Sequence, residues 1–201
     1  MINTRRDDVT RRWALRLTAC LLAGTAALTG CSEKQVAAES LPTTSSPTPS
    51  EDALPPLGPE DLPMPDEART QDAAGAEAFV RYYIELINRT STVMDAQPLR
   101  DLSKNCRECD RIAGNTDDDA AAGYRYAEGE LLVRAAGSAT VEGNEAQMAF
   151  TLDQRALRVL DANGSMNSEL SSDDLTGLNG GAIARWDEHR RTWLMTTLTL
   201  G

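Results

Sequence analysis

Histidine and aromatic residues are scarce in this chain, and their scarcity narrows the chemistry it can perform. The single histidine, His189, lies among charged residues in a predicted turn at 187–191. A Ser-His-Asp or Cys-His catalytic arrangement would depend on this one side chain. Beyond residue 31 the chain offers two cysteines and this histidine, fewer ligands than a four-coordinate zinc site needs. We therefore expect a non-enzymatic protein without a bound metal or cofactor.

Basic residues are also scarce outside the N-terminus. Residues 31–201 carry 29 acidic and 15 basic side chains. Nucleic acid binding needs a basic patch that displaces counterions from phosphates, so we expect no nucleic acid partner. The same acidity disfavours a domain that lies flat on an anionic membrane.

The N-terminal 30 residues differ from the rest, because they hold five arginines against two aspartates. The uncharged run 17–28 that follows has the length of a signal-peptide core. It is shorter than the ~20 residues that a membrane-spanning helix needs. It ends in Leu28-Thr29-Gly30-Cys31, which resembles the bacterial lipobox. The sequence therefore predicts cleavage between Gly30 and Cys31 and acylation of the Cys31 thiol.

An acylated Cys31 would hold the chain on the extracytoplasmic face of the bacterial cell membrane. Anchoring by two or more acyl chains is stable, and it makes the membrane itself a partner. The segment from Thr10 to Arg16 resembles a twin-arginine export signal, although Ala14 stands where a bulky apolar residue is usual. Twin-arginine export and the general secretory route therefore both stay open.

Eight of the nine prolines lie between Ser32 and Asp66, among many serines and threonines. This composition predicts a disordered tether that would span roughly 30 Å as a coil and up to ~100 Å when extended. We therefore divide the chain into a signal peptide at 1–30, a lipidated cysteine and tether at 31–66, and a folded domain at 67–201.

Within the folded domain, predicted helices precede predicted strands. Apolar residues at spacings of three and four predict a helix over 73–92. Two further helices are expected, one starting near Pro98 and one over 110–124, unless Gly114 or the acidic run 117–119 breaks it. After Gly129 the apolar period changes to two, and the chain should end in a hairpin over 182–200, with 171–181 as a loop. This order indicates an α+β fold with helices packed on a curved antiparallel sheet.

The chain resembles two known groups of proteins. The order of elements, with helices before strands and Trp193 on the closing strand, resembles that of the nuclear-transport-factor-2-like (cystatin-like) cone fold. More narrowly, the chain resembles actinobacterial lipoproteins that carry a domain of unknown function. The second resemblance covers about 58–200 and has no established activity to carry over. The segments behind it are Leu62-Pro63, Pro65, Ala68-Arg69, 75–83, Pro98-Leu99 and Cys106-Arg107-Glu108-Cys109.

Cys106 and Cys109 are the two cysteines left after cleavage and acylation. In an oxidising compartment, cysteines this close in sequence usually pair, so we expect a structural disulfide. The alternative is a redox-active pair, although no aromatic residue stands just before Cys106.

Four aromatic residues are candidates for lining a pocket in the cone: Tyr82, Tyr83, Tyr126 and Trp193. The alternative is that they belong to the hydrophobic core. From these observations we expect a binding module for an envelope protein or a small apolar ligand. Two alternatives remain, namely a cone-fold enzyme that uses a pocket acid and a tyrosine, and a thiol-disulfide protein that uses Cys106 and Cys109.

Overall fold

The computed structural model describes residues 54–201. The predicted signal peptide at 1–30, the acylated Cys31 and the predicted tether up to residue 53 lie outside this range. Within it, no helix is both long and apolar enough to cross a bilayer.

The folded domain begins earlier than the predicted boundary at residue 67. Met64 is buried, and Leu57 and Leu62 pack against the core. Backbone hydrogen bonds fix this segment: the Met64 amide donates to the Leu57 carbonyl at 2.8 Å. Five prolines, at positions 55–65, lie in this ordered segment, which we call the strap (residues 55–69). Ordered structure therefore begins about ten residues before the expected boundary.

Arg69 fastens this strap to the opposite end of the chain. It lies in a single 3-10 turn, Asp66–Arg69, and is 7% exposed. Its guanidinium donates to the Pro55 carbonyl at 2.7 Å and to the Arg190 carbonyl at 2.9 Å. Burial lowers the pKa of Arg69, and these carbonyls replace the water that it loses. These hydrogen bonds give Arg69 a structural role in a segment whose composition otherwise resembles a linker.

The first helix, α1, spans Ala73–Val93, close to the predicted 73–92. Asp72 caps its N-terminus by accepting a hydrogen bond from the Gly75 amide at 2.7 Å. A Cβ at Gly75 would lie 2.1 Å from the Thr70 carbonyl oxygen, so only glycine fits there. The helix ends at Met94 in the left-handed conformation.

Two shorter helices follow. α2 spans Gln97–Asp101 and α3 spans Arg107–Ala121. Gly114 lies within α3 and does not interrupt it. A Cβ at this position would meet no atom within 4 Å, so no close contact there requires glycine or distorts the helix. α3 therefore runs through the acidic residues 117–119 that seemed able to break it.

The strands form a five-stranded antiparallel sheet and a separate two-stranded ribbon. In the large sheet the order is β2-β4-β6-β7, and β3 also pairs with β4. In the ribbon, β1 pairs with β5. The strand bounds are β1 Arg125–Tyr126, β2 Leu131–Ala136, β3 Thr140–Glu142, β4 Glu145–Gln154, β5 Val159–Leu160, β6 Leu175–Asp187 and β7 Thr192–Leu200.

β6 is longer than the sequence indicated. Residues 175–181, expected to be a loop, form the first half of β6, paired with the end of β4. These residues are mostly exposed, and three of them are glycines, so no alternating apolar pattern predicts a strand here. Gly180 is required because a Cβ there would lie 2.1 Å from the Phe150 ring. The predicted turn at 187–191 is confirmed in position, since β6 ends at Asp187 and β7 starts at Thr192.

The core lies between the inner face of the sheet and α1. Phe79, Tyr83 and Leu86 from α1 are fully buried against Trp193 and Met195 of β7. Register shifts in β2, in β4 against β6, and in β7 increase the local twist of the sheet. The fold is therefore α+β, with helices on one face of an antiparallel sheet, as predicted.

Candidate functional site

An apolar groove opens at one end of the domain, where α3 meets the sheet. It encloses about 260 Å³. Its polar lining includes Tyr126 and the Glu108–Arg111 ion pair. Six aliphatic side chains from α1, α3, three strands of the sheet and one loop line the rest: Ile87, Ile112, Leu131, Leu157, Leu178 and Leu200. We call this space the apolar groove.

Three of these aliphatic residues lie toward the ends of strands or in a loop. Leu178 and Leu200 sit at the free ends of β6 and β7, and Leu157 lies in the loop between β4 and β5. Gly129 allows the neighbouring loop to approach Leu157, because a Cβ there would lie 2.7 Å from its Cδ1. The groove forms where side chains from separate elements meet, and no local pattern in the sequence reports that.

A second groove continues from the first along the outer edge of β7. It encloses about 650 Å³ between the first turns of α3 and residues 196–201. The two grooves share Glu108, Arg111 and Leu200. We call this second space the edge groove. Together they form a continuous surface with an apolar end and a polar end.

The ion pair between Glu108 and Arg111 lies where the two grooves join. The Arg111 Nε donates to Glu108 Oε2 at 2.9 Å. The hydrogen bond from Arg111 lowers the pKa of Glu108, so the carboxylate stays charged. Both side chains are partly exposed, with 57% and 27% of their surface accessible, so they can exchange partners when something binds.

Tyr126 is the one candidate pocket residue that lines the apolar groove. Its hydroxyl donates to a carboxylate oxygen of Asp119 on α3. Burial raises the Tyr126 pKa far above its usual range, and the Asp119 carboxylate raises it further. Tyr126 therefore stays protonated at neutral pH and acts as a hydrogen-bond donor.

The remaining three aromatic candidates lie in the core and line neither groove. Tyr82 is 2% exposed, and Tyr83 and Trp193 are 0% exposed. Each polar atom already donates to a backbone carbonyl: Tyr82 to Leu62 at 2.9 Å, Tyr83 to Leu99 at 3.1 Å, and Trp193 to Thr70 at 2.9 Å. These three aromatic residues are therefore core residues, as the alternative interpretation held, and they do not line a pocket.

Comparison with known proteins identifies the family to which this arrangement belongs. The model of a family of unknown function, DUF6318, matches residues 60–199. The chain belongs to the DUF6318 family. This matches the expectation of a domain of unknown function, and its N-terminal limit agrees with the ordered strap that precedes α1.

Two further comparisons give less. No curated protein matches the chain in sequence. The crystal structure of the intermembrane space region of the chloroplast protein ARC6 is similar at 18% identity, with a TM-score of 0.47. The match covers 65% of this chain and 97% of that one.

The DUF6318 domain contains the expected disulfide. Cys106 and Cys109 lie with their sulfur atoms 2.02 Å apart, and each residue is 1% exposed. Cys106 is also the N-cap of α3, where its sulfur accepts from the Cys109 amide at 3.3 Å. The disulfide therefore fixes the start of α3, the helix that forms one wall of both grooves.

The histidine of the DUF6318 domain lines neither groove. His189 is exposed in the β6–β7 turn, where its amide donates to Asp187 at 3.0 Å. In residues 54–201, no three His, Cys, Asp or Glu side chains are grouped as metal ligands. The candidate site is thus the pair of grooves, and its character is apolar and hydrogen-bonding.

Proposed function

We propose that this protein is a lipoprotein of the bacterial cell envelope whose DUF6318 domain binds a partner in the grooves beside α3 without catalysing a reaction. The observation that carries the proposal is the apolar groove, where six aliphatic side chains from separate elements meet around an open space. Concave apolar sites with a few polar groups are typical binding sites.

Two features support binding over catalysis. Three of the four aromatic candidates already use their polar atoms in hydrogen bonds with the backbone. The Tyr126 hydroxyl donates its one proton to Asp119, so its oxygen is left to accept a hydrogen bond from a ligand in the groove. The cone fold predicted from the sequence is part of the same proposal, supported by helices that precede a twisted antiparallel sheet.

Site-specific crosslinking in live cells tests the groove. A photo-reactive residue at Asn115, exposed on the groove wall, should give a discrete crosslinked product. The same group at Arg81, exposed on α1 away from both grooves, is the matched control. Equal labelling at both positions would contradict the proposal, and so would a product that persists when Ile112→Glu charges the groove floor in a folded variant.

The anchor is tested at Cys31. Cys31→Ala removes the acylated thiol and should release the mature chain from the membrane fraction, whereas Cys20→Ala within the signal peptide should leave it membrane-bound. Retention of a cleaved Cys31→Ala chain would defeat the anchor. Because cleavage at the lipobox normally follows acylation, the size of the product must be measured together with its location.

One observation favours a second candidate, an enzyme that uses Tyr126 and Asp119. The two side chains are hydrogen-bonded beside the apolar groove. A catalytic pair of this kind would require Asp119 to hold or pass a proton. Tyr126→Phe removes the hydroxyl while keeping the ring, so it should leave partner crosslinking at Asn115 intact. If the wild-type protein turns over a substrate, and Tyr126→Phe loses that turnover while crosslinking at Asn115 stays intact, the enzyme is favoured.

The thiol-disulfide alternative has weaker support. Cys106 and Cys109 stand at a helix N-terminus, a position that stabilises thiolates. Both residues are 1% exposed, so a substrate thiol cannot reach either sulfur in the folded chain. A reduction potential below about −300 mV would mark a structural bond.

A further inference from the structure

The outer edge of β7 is paired over only its first half. The Met195 amide donates to the Leu102 carbonyl at 2.9 Å, and the Lys104 amide donates to the Met195 carbonyl at 2.9 Å. This short segment runs parallel to β7 through the bridge between Ser103 and Met195. At Asn105 the backbone takes a φ of 54° and turns into α3. Among residues 54–201, no hydrogen bond reaches the outer edge of 197–200.

The alternation of backbone direction along β7 identifies which N–H and C=O groups point to the outer edge. The Gly201 amide donates to the Asn179 carbonyl at 3.0 Å, so Gly201 faces β6. Backbone groups alternate along a strand, so Leu198 and Leu200 direct their N–H and C=O groups to the outer edge. Leu198 is 5% exposed. Backbone polar groups that are buried without a partner are costly, so these groups favour an added hydrogen-bonding chain.

The edge groove offers room for such a chain. Its volume of about 650 Å³ lies along residues 196–201. At a rise of ~3.3 Å per residue, a strand of five residues is roughly 16 Å long. Leu200 also lines the apolar groove, so a side chain of the added strand has an apolar space beside it.

Charge indicates what kind of chain fits. Residues 54–201 carry 25 acidic and 14 basic side chains. Arg107 lines the edge groove, and Lys104 lines an adjoining cavity that shares Asn105 and residues 196–197 with it; both side chains are exposed. Neither forms an ion pair with a residue in the described range. An acidic domain thus presents unpaired cations beside unpaired backbone, a combination complementary to an acidic strand.

We propose that the edge groove binds an extended acidic peptide segment of a partner protein, which adds to the sheet as a strand beside β7. Addition of a peptide strand to a free sheet edge is an established recognition mode. Backbone bonds to Leu198 and Leu200 supply affinity, while Lys104 and Arg107 select acidic side chains. This inference rests on the proposed function, because it names the chemistry of an occupant for one of the same grooves.

The test uses the full-length protein and an acetylated, amidated hexapeptide of alternating glutamate and valine. Binding is measured by fluorescence anisotropy, and the site by amide hydrogen exchange. We expect saturable binding that weakens with salt and slows exchange at Leu198 and Leu200. A hexapeptide of alternating lysine and valine, and a glutamate-valine peptide with alternate amides N-methylated, should bind at least about fivefold more weakly.

Two pairs of variants make the test specific. Leu200→Pro removes an outward amide and should weaken binding roughly fivefold, whereas Leu200→Val keeps that amide and should bind nearly as well. Arg107→Glu should weaken binding several-fold, whereas Arg125→Glu, an exposed arginine on β1, should not. Circular dichroism confirms that each variant is folded before binding is compared.

The outcomes separate this inference from the proposed function. Equal affinity for the acidic, basic and N-methylated peptides would overturn strand addition. Peptide-induced protection confined to the loop at Gly129 and Leu157 would also overturn it, while the apolar groove would stand as a binding site. Protection of Leu198 and Leu200 that grows with protein concentration alone would assign the edge to a second copy of the chain.

Discussion

The backbone groups at the two edges of the sheet are hydrogen-bonded in different ways. At the β2 edge, the Asn88 amide group from α1 takes the place of a strand: it donates to the Leu131 carbonyl at 2.9 Å and accepts from the Leu131 amide at 2.8 Å. Near β3, Glu77 accepts from the Ala139 amide at 2.9 Å. At the β7 edge, Met195 is the one residue whose outward backbone is paired within residues 54–201, by a segment that then leaves the sheet.

This difference suggests that the open half of β7 has a purpose. Exposed sheet edges invite association with other chains, and proteins usually cover or charge them. Here one helix supplies two side chains that hydrogen-bond the backbone at the start of β2 and just before β3. α3 stands beside β7 yet leaves a groove there. That groove offers a place for a specific partner.

Proline substitution at the two edges should give the largest contrast. Leu131→Pro removes an amide that is hydrogen-bonded to Asn88, so it should lower the free energy of unfolding by about 3 kcal/mol. Leu200→Pro removes an amide that no group in residues 54–201 accepts from, and it should cost about 1 kcal/mol or less. Urea denaturation followed by circular dichroism measures both. Equal losses would show that the two edges do not differ as described.

Removing the side-chain cover should open the β2 edge. Asn88→Ala deletes two hydrogen bonds to half-buried backbone and should cost about 2 kcal/mol in unfolding free energy. Thr92→Ala, on an exposed position of the same helix, is the control and should change stability by less than about 0.5 kcal/mol. Analytical ultracentrifugation should also detect self-association of Asn88→Ala. A variant as stable as the wild type would mean that Asn88 does not cover the edge.

The disulfide positions α3 beside the open edge. Its closed loop is very short, so the chain-entropy model gives about 2 kcal/mol or less for replacing Cys106 and Cys109 together by serine. Because α3 walls both grooves, the double variant should lose peptide binding in greater proportion than stability. Thermal unfolding and anisotropy on the same sample compare the two losses. Unchanged affinity in the folded double variant would show that the disulfide does not shape the groove.

Glu77 should give the smallest effect and distinguish charge from hydrogen bonding. Glu77→Gln retains an oxygen that can accept from the Ala139 amide, so it should cost less than about 0.5 kcal/mol. Glu77→Ala removes the acceptor and should cost about 1 kcal/mol. Equal costs for both variants, measured by urea denaturation, would show that the carboxylate charge matters more than the hydrogen bond.

The sequence predicted the elements whose apolar periods are regular. α1 was expected over 73–92 and spans Ala73–Val93, because its apolar stripe and the Asp72 cap are both local signals. The Cys106–Cys109 bond was expected from close spacing together with predicted export to an oxidising compartment. The first half of β6 was missed, because exposed side chains and glycines leave no alternation to detect. The strap before α1 was missed, because it is ordered by distant contacts such as those of Arg69.

The grooves were predicted only as a class of site. Tyr126 was one of four aromatic candidates, yet the aliphatic residues that line the apolar groove come from six separate elements and loops. Their meeting depends on strand lengths and on the position of α3. The open edge of β7 depends likewise on where Asn105 turns the chain away from the sheet. Such features arise from tertiary geometry, which residue patterns do not report.

Amide hydrogen exchange of the free, full-length protein, measured by NMR, tests the central claim most directly. The Leu131 amide is hydrogen-bonded to Asn88 and should exchange slowly, whereas the Leu200 amide has no partner within residues 54–201 and should exchange much faster. Addition of the acidic peptide should slow Leu200 and leave Leu131 unchanged. A Leu200 amide that already exchanges as slowly as Leu131 in dilute free protein would contradict the open edge.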